Sequence, residues 1–346
     1  MAPTPRTARL AGLDLARGLA VVSMLVAHLS PVGGLFDVSE YLTAPLFAVV
    51  IGVAMGVQLD RRHPGVIPFL VANLQRGLVL VVLGLVLQLL YGQIVVVLPY
   101  LGLLVLVLAP LALLLHRAPV LTLGLAAGGA VLGPLVTERA REAGPAAAAA
   151  GTPWPGWWSD LSQWLATGSS YRLTSFVPMA LGGLALAAIV RRVGRGPFGW
   201  AVAGVLVVAS GAVYLVGGTT ADGAAAYSGT TAEVLGATLL AASVVVASFV
   251  VDDQVGHRPA GRALGPLLAT GRLALTAYTV QIVALAAISL VRGRDLPDDT
   301  WPILLGTTAV VVATCWALDR WWGTGPLEWV LHRIRPQVPE GRHRTP

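Results

Sequence analysis

The sequence predicts an all-α, polytopic membrane bundle of about ten spans, followed by a short helix lying on the membrane surface. Three observations carry this. Hydrophobic residues make up 56% of the 346 and charged residues only 12%, where a soluble chain carries about a quarter charged. Apolar runs long enough to cross a hydrocarbon core of about 30 Å recur along the whole sequence. The 23 basic residues, all arginine, fall mostly in the short connections between those runs.

Taken in order, the spans lie at roughly 13–30, 40–58, 70–91, 94–115, 119–136, 171–190, 198–217, 232–251, 271–291 and 301–319. Arg6 and Arg9 precede the first, Arg61 and Arg62 follow the second, and Arg117 follows the fourth. Arg191, Arg192 and Arg195 follow the sixth and Arg258 and Arg262 the eighth, while Arg333, Arg335, Arg342 and Arg344 lie in the tail. The alternate connections are poor in arginine or rich in aspartate, so the positive-inside rule predicts both termini in the cytoplasm. The chain reads as one integral-membrane domain over 1–346, with an extracytoplasmic connection at 137–170 and a cytoplasmic tail at 320–346.

Within that connection Trp154, Trp157, Trp158 and Trp164 suit an interfacial aromatic belt; a lid over an outer mouth is the sharper alternative. The segment GTGPLEWVLHRIRP after the last span is too short to cross and reads as an interfacial helix. Asp14 and Arg17 interrupt the place of a signal-peptide core, so the first span is expected to stay as an anchor.

Composition narrows the chemistry. With no lysine, Schiff-base and Ser-Lys mechanisms are excluded. The single cysteine, Cys315, rules out an internal disulfide and any cysteine-based metal cluster, and it reads as a packing residue. The net charge of +6 is explained by topology-setting arginines and points to no nucleic acid. No HExxH, GxSxG, P-loop or GxGxxG pattern is present.

The stretch Leu10–Ser30, LAGLDLARGLAVVSMLVAHLS, carries Asp14, Arg17 and His28 inside an apolar run. At 100° per residue Arg17 and His28 lie within about 20° of one another, and Asp14 within about 60° of Arg17. All three share one stripe, with roughly 16 Å between Arg17 and His28 along the axis. Ionisable groups kept inside a bilayer usually face a protein interior or a wet cavity. His28 is either an interhelical packing histidine or a general base. Arg17 is a snorkelling residue, an ion-pair partner of Asp14, or a guanidinium that holds phosphate or positions a catalytic helix. Arg76 and Arg272 open the third and ninth spans at the same depth; topology-setting is their default role, and a shared phosphate site is the functional one. Tyr278 and Gln281 share a helical face, and Tyr171 and Arg172 stand at the outer mouth. These four are candidates for substrate contact, against interhelical hydrogen bonding or interface anchoring. His63, His116, His257, His332 and His343 fall in loops or the tail and read as solvated or interfacial residues.

The pattern LDLARGLAVVSMLVAH resembles the first helix of integral-membrane acyltransferases, and its arginine-to-histidine spacing is similar to that of their O-acyltransferase branch. TAPLFAVVIGVAMG from Thr43, LQRGLVLVVLGLVL from Leu74 and FVPMALGGLALA from Phe176 resemble the heparan-α-glucosaminide N-acetyltransferase-like branch. TGRLALTAYTVQ from Thr270 and GPLEWVLHR from Gly325 resemble the C-terminal signature of YeiB-like bacterial proteins. The resemblance implies an acetyl-CoA or other acyl-CoA donor, no metal, and a sugar- or glycoconjugate-like acceptor reached from outside. It implies a multi-pass protein of the bacterial cytoplasmic membrane, in which a homodimer is left open. In the N-acetyltransferase branch the key histidine lies in the outer loop after the first span. PVGGLFDVSE has none, and His28 occupies the O-acyltransferase position, which favours a hydroxyl acceptor over an amine.

The resulting expectation is a membrane-embedded acyltransferase in which His28 is the base or acyl carrier. Arg17, Arg76 and Arg272 hold the donor, with Asp14 beside Arg17. A transporter or flippase using the same stripe as a pathway is the alternative, weakened by the absence of an evident internal repeat. A non-catalytic scaffold is the third.

Overall fold

The computed structural model describes residues 10–62, 65–90, 94–221, 223–255, 259–293 and 299–334. Among them the secondary structure is helical throughout. The order is α1 (Ala11–Leu29), α2 (Val38–Arg62), α3 (Val66–Leu90), α4 (Leu98–Leu115), α5 (Pro119–Ala149), α6 (Gly156–Ser162), α7 (Leu173–Ala187) and α8 (Val190–Val193). It continues with α9 (Gly196–Gly218), α10 (Thr231–Val255), α11 (Pro259–Ala263), α12 (Gly265–Arg272), α13 (Ala274–Arg292), α14 (Trp301–Trp321) and α15 (Pro326–Ile334). Among the described residues nine helices are long and apolar enough to cross a membrane. Arg6, Arg9, His63, His257, Arg258, Arg335, Arg342, His343 and Arg344 lie outside the described residues.

Three expected boundaries shift, each for a physical reason. The sixth span is the 15-residue α7, which rises only about 22 Å; most of it is buried between its neighbours. The connection expected at 137–170 is largely helix. α5 runs 31 residues to Ala149, because alanine is the strongest helix former and carries the helix past the apolar run. Helical structure then resumes over Gly156–Thr167. The ninth span is broken: Leu273, at φ −108° and ψ 37°, separates α12 from α13, so Arg272 closes one helix instead of opening the next.

The core is formed by α1, α2, α7 and α10, with α3, α5, α9 and α14 outside showing apolar faces to the surroundings. Lipid supplies little hydrophobic drive between spans, so close contact depends on small residues that let backbones meet. A Cβ on Gly52 would lie 1.9 Å from the Ala180 carbonyl oxygen, and one on Gly183 would lie 2.1 Å from that of Val49. These two glycines bring α2 and α7 into backbone contact.

Candidate functional site

At the Arg17 end of the bundle lies a cavity of about 920 Å³ whose walls include Arg17, Arg61, Arg76 and Arg272. The four arginines come from α1, α2, α3 and α12. The three arginines expected to share a depth therefore also share a cavity. Arg61, read from sequence as a topology residue, joins them. Arg17 donates to Asp14 at 3.1 Å, the pairing that their spacing implies, and Arg272 pairs with Asp319. A cluster of guanidinium groups in a cleft of this size suits a ligand bearing several phosphates, because each group presents a planar fork matching phosphate oxygens.

Arg272 reaches the cavity because α12 lies directly against α1. A Cβ on Gly18 would meet the Leu267 carbonyl oxygen at 2.3 Å, and one on Gly271 would meet that of Asp14 at 1.7 Å. Backbone touches backbone at both points, so residue 272 follows onto the wall of the same cavity as Arg17.

The break at Leu273 leaves the first N–H groups of α13 without helical partners. Glu328 of α15 takes them. Its Oε1 accepts from the Leu275 and Thr276 N–H groups at 3.0 Å each, and its Oε2 accepts from the Thr276 hydroxyl. A carboxylate at a helix N-terminus is favoured by both the hydrogen bonds and the helix dipole. Glu328 also lines the cavity, as does His332. Glu328→Ala is expected to cost about 1–2 kcal/mol, the usual loss for a capping side chain, and Glu328→Gln less. Thermal unfolding in detergent checks this as a fall in midpoint, larger for alanine.

At the other end of α1, His28 is half-buried and its Nδ1 lies 3.4 Å from Gln281 Nε2. Gln281 is completely buried, and its Oε1 has no hydrogen-bond partner. Tyr278, one turn earlier, accepts from the Val97 N–H at 3.1 Å and so pins α13 to the start of α4. Nearby, the Ser23 and Thr43 hydroxyls meet at 2.8 Å. A recess of about 250 Å³ opens beside Val26, Ala27 and Ser30 and is edged by Asp37, Glu40 and Asp299. The arginine-walled cavity follows α1 only as far as Arg17. On the stripe between Arg17 and His28 stand Val21 and Met24, both buried.

Tyr171 and Arg172 are placed differently from the mouth residues expected. Arg172 is only 1% exposed, and its guanidinium donates to the carbonyls of Gly168 at 2.6 Å and Tyr227 at 2.9 Å. It staples the segment before α7 to the segment before α10. Tyr171 is buried against Tyr100, Phe176 and Tyr227. Burial pushes the Tyr227 hydroxyl up to about 12. Glu233 is buried beside this group.

Arg61, Glu328 and His332 are the residues that sequence reading left out of the site. The signal for Glu328 was present in GPLEWVLHR, a stretch singled out with no role for its glutamate. His332 is solvent-exposed as expected, yet it also lies on the cavity wall. His116, in the turn after α4, is half-buried, with its Nδ1 3.0 Å from the Ala112 carbonyl.

No curated protein matches the chain. Residues 10–320 match the acyltransferase 3 family, described as an acyltransferase domain. The match runs through every helix from α1 to α14 and favours acyl transfer over transport. The chain is thus a multi-pass membrane protein that belongs to the acyltransferase 3 family.

Proposed function

We propose that the protein transfers an acetyl or other short acyl group from acyl-CoA, bound at the arginine-walled cavity, to a hydroxyl of a sugar- or glycoconjugate-like acceptor entering at the His28 end. The observation that carries this reading is the convergence of Arg17, Arg61, Arg76 and Arg272 on one cavity of about 920 Å³. That is near the upper end of the range of roughly 300–1,000 Å³ for ligand sites. The charged half of CoA presents phosphates to those guanidinium groups. His28 lies about 16 Å farther along the helix axis, and for pantetheine to bring the thioester to it the buried Val21 and Met24 side chains must part. His28 serves as the base that takes the acceptor's proton.

The positive-inside rule supports a cytoplasmic arginine-rich end and an extracytoplasmic acceptor end. Similarity to the heparan-α-glucosaminide N-acetyltransferase-like and YeiB-like branch supports a glycoconjugate acceptor in a bacterial cytoplasmic membrane. The position of His28 favours a hydroxyl over an amine.

The test uses purified protein in vesicles with acetyl-CoA, measuring donor affinity and free-thiol release. Hydrogen bonds to charged groups contribute about 1.5–3 kcal/mol, so Arg76→Ala is expected to weaken acetyl-CoA binding about 10–150-fold. The loss should shrink as salt rises, since screening already weakens the wild-type contact. Unchanged affinity in Arg76→Ala and Arg61→Ala would remove the cavity from donor binding.

A further inference from the structure

We infer that Gln281 is the positioning residue of His28, holding the ring by Nδ1 so that Nε2 is the nitrogen presented to the acceptor hydroxyl. This rests on the reading of His28 as the base. Three observations on α13 carry it. The helix is fixed at its start by Glu328 and at Tyr278 by the Val97 N–H, so Gln281 is presented from a rigid element. The Gln281 side chain is wholly buried and reaches His28 Nδ1 at 3.4 Å. Its Oε1 is buried without a hydrogen-bond partner, an arrangement that calls for a donor.

A neutral imidazole carries one proton, and the nitrogen that carries it is set by what the other side of the ring meets. A base working through Nε2 needs its proton on Nδ1, and that N–H needs an acceptor. The Gln281 amide can supply either group. Its NH₂ donates to a bare Nδ1, and after the amide turns over, Oε1 accepts from Nδ1–H. In the transfer step the acceptor O–H bond breaks and its proton moves to Nε2, while the oxygen attacks the thioester carbonyl. The tetrahedral adduct collapses, the C–S bond breaks, and the CoA sulfur takes the proton back from Nε2. The products are an acyl ester and the CoA thiol. Throughout, Nδ1–H stays on Oε1, which keeps the imidazolium oriented without placing a second charge in the bundle.

The experiment compares wild type with Gln281→Met, which keeps the length and loses both hydrogen-bonding groups, and with Gln281→Glu, which keeps an acceptor oxygen. Nitrogen-15 NMR of the His28 ring, assigned by its disappearance in His28→Ala, reads the tautomer without any need for turnover. A single held tautomer is expected in wild type and Gln281→Glu, and a tautomer average in Gln281→Met. In thiol-release assays Gln281→Met should lower kcat about 10–100-fold, a tenth to a hundredth of wild type, with the KM for acetyl-CoA within about twofold. Gln281→Glu should restore most of the loss. The same tautomer state and the same kcat in wild type and Gln281→Met would overturn the inference while His28→Ala remained inactive. Thiol release that survives in His28→Ala would instead overturn the reading of His28 on which the inference stands.

Discussion

Replacing His28 by alanine is expected to reduce acyl transfer about 10²–10⁴-fold, the range that a positioned general base contributes. Acetyl-CoA affinity should stay close to wild type, because the cavity follows α1 only as far as Arg17 and His28 is not one of its walls. Stability should change little, since His28 is half-buried in the last turn of α1. The measurement is thiol release beside donor binding on the same vesicles. A loss of kcat without a loss of affinity separates the two ends of the site, as expected if the arginines hold the donor and His28 acts only on the proton. Weakened donor binding in His28→Ala would place the histidine within the donor site; retained transfer would remove it from the chemistry.

That Arg17, Arg76 and Arg272 gather at one end of the bundle was legible in the sequence, and the azimuth of charged groups largely was not. Hydropathy sets where a residue sits along the membrane normal, which is why Arg17, Arg76 and Arg272 could be grouped. Within one helix the 100° step also gives azimuth, and Asp14 and Arg17 do pair at 3.1 Å. Between helices nothing in the letters gives rotation. Arg61 therefore read as a topology signal, although it faces the same cavity as the other three. The break at Leu273 was hidden for a related reason. One non-helical residue leaves mean hydropathy unchanged, yet it creates the orphan N–H groups that Glu328 satisfies. Arg172, read from sequence as an acceptor contact or an anchor of the sixth span, is held by backbone carbonyls that only the folded chain brings to it.

Gly271→Val is expected to collapse the arginine-walled cavity and much of the folded yield. A Cβ there would stand 1.7 Å from the Asp14 carbonyl oxygen, 2.6 Å from its carbon and 2.8 Å from the Gly18 N. All three are backbone atoms of α1, so no side chain can turn aside, and α12 must retreat by roughly 1.5 Å or more to reach ordinary contact. Forced overpacking costs about 1–3 kcal/mol and sometimes more. Here the strain also acts on function, because Arg272 follows directly and its place beside Arg17 depends on that approach. The protein that does fold should bind acetyl-CoA less tightly while its His28 remains in place, a pattern opposite to that of His28→Ala. Gly211→Ala on α9 is the control, since a Cβ there meets nothing within 4 Å. It should be neutral or stabilising by up to about 1 kcal/mol, the helix-propensity difference between glycine and alanine. Comparing detergent-extracted folded yield and acetyl-CoA affinity for the two variants isolates the contact. If Gly271→Val folds and binds donor as well as Gly211→Ala does, the backbone contact between α1 and α12 does not set the position of Arg272.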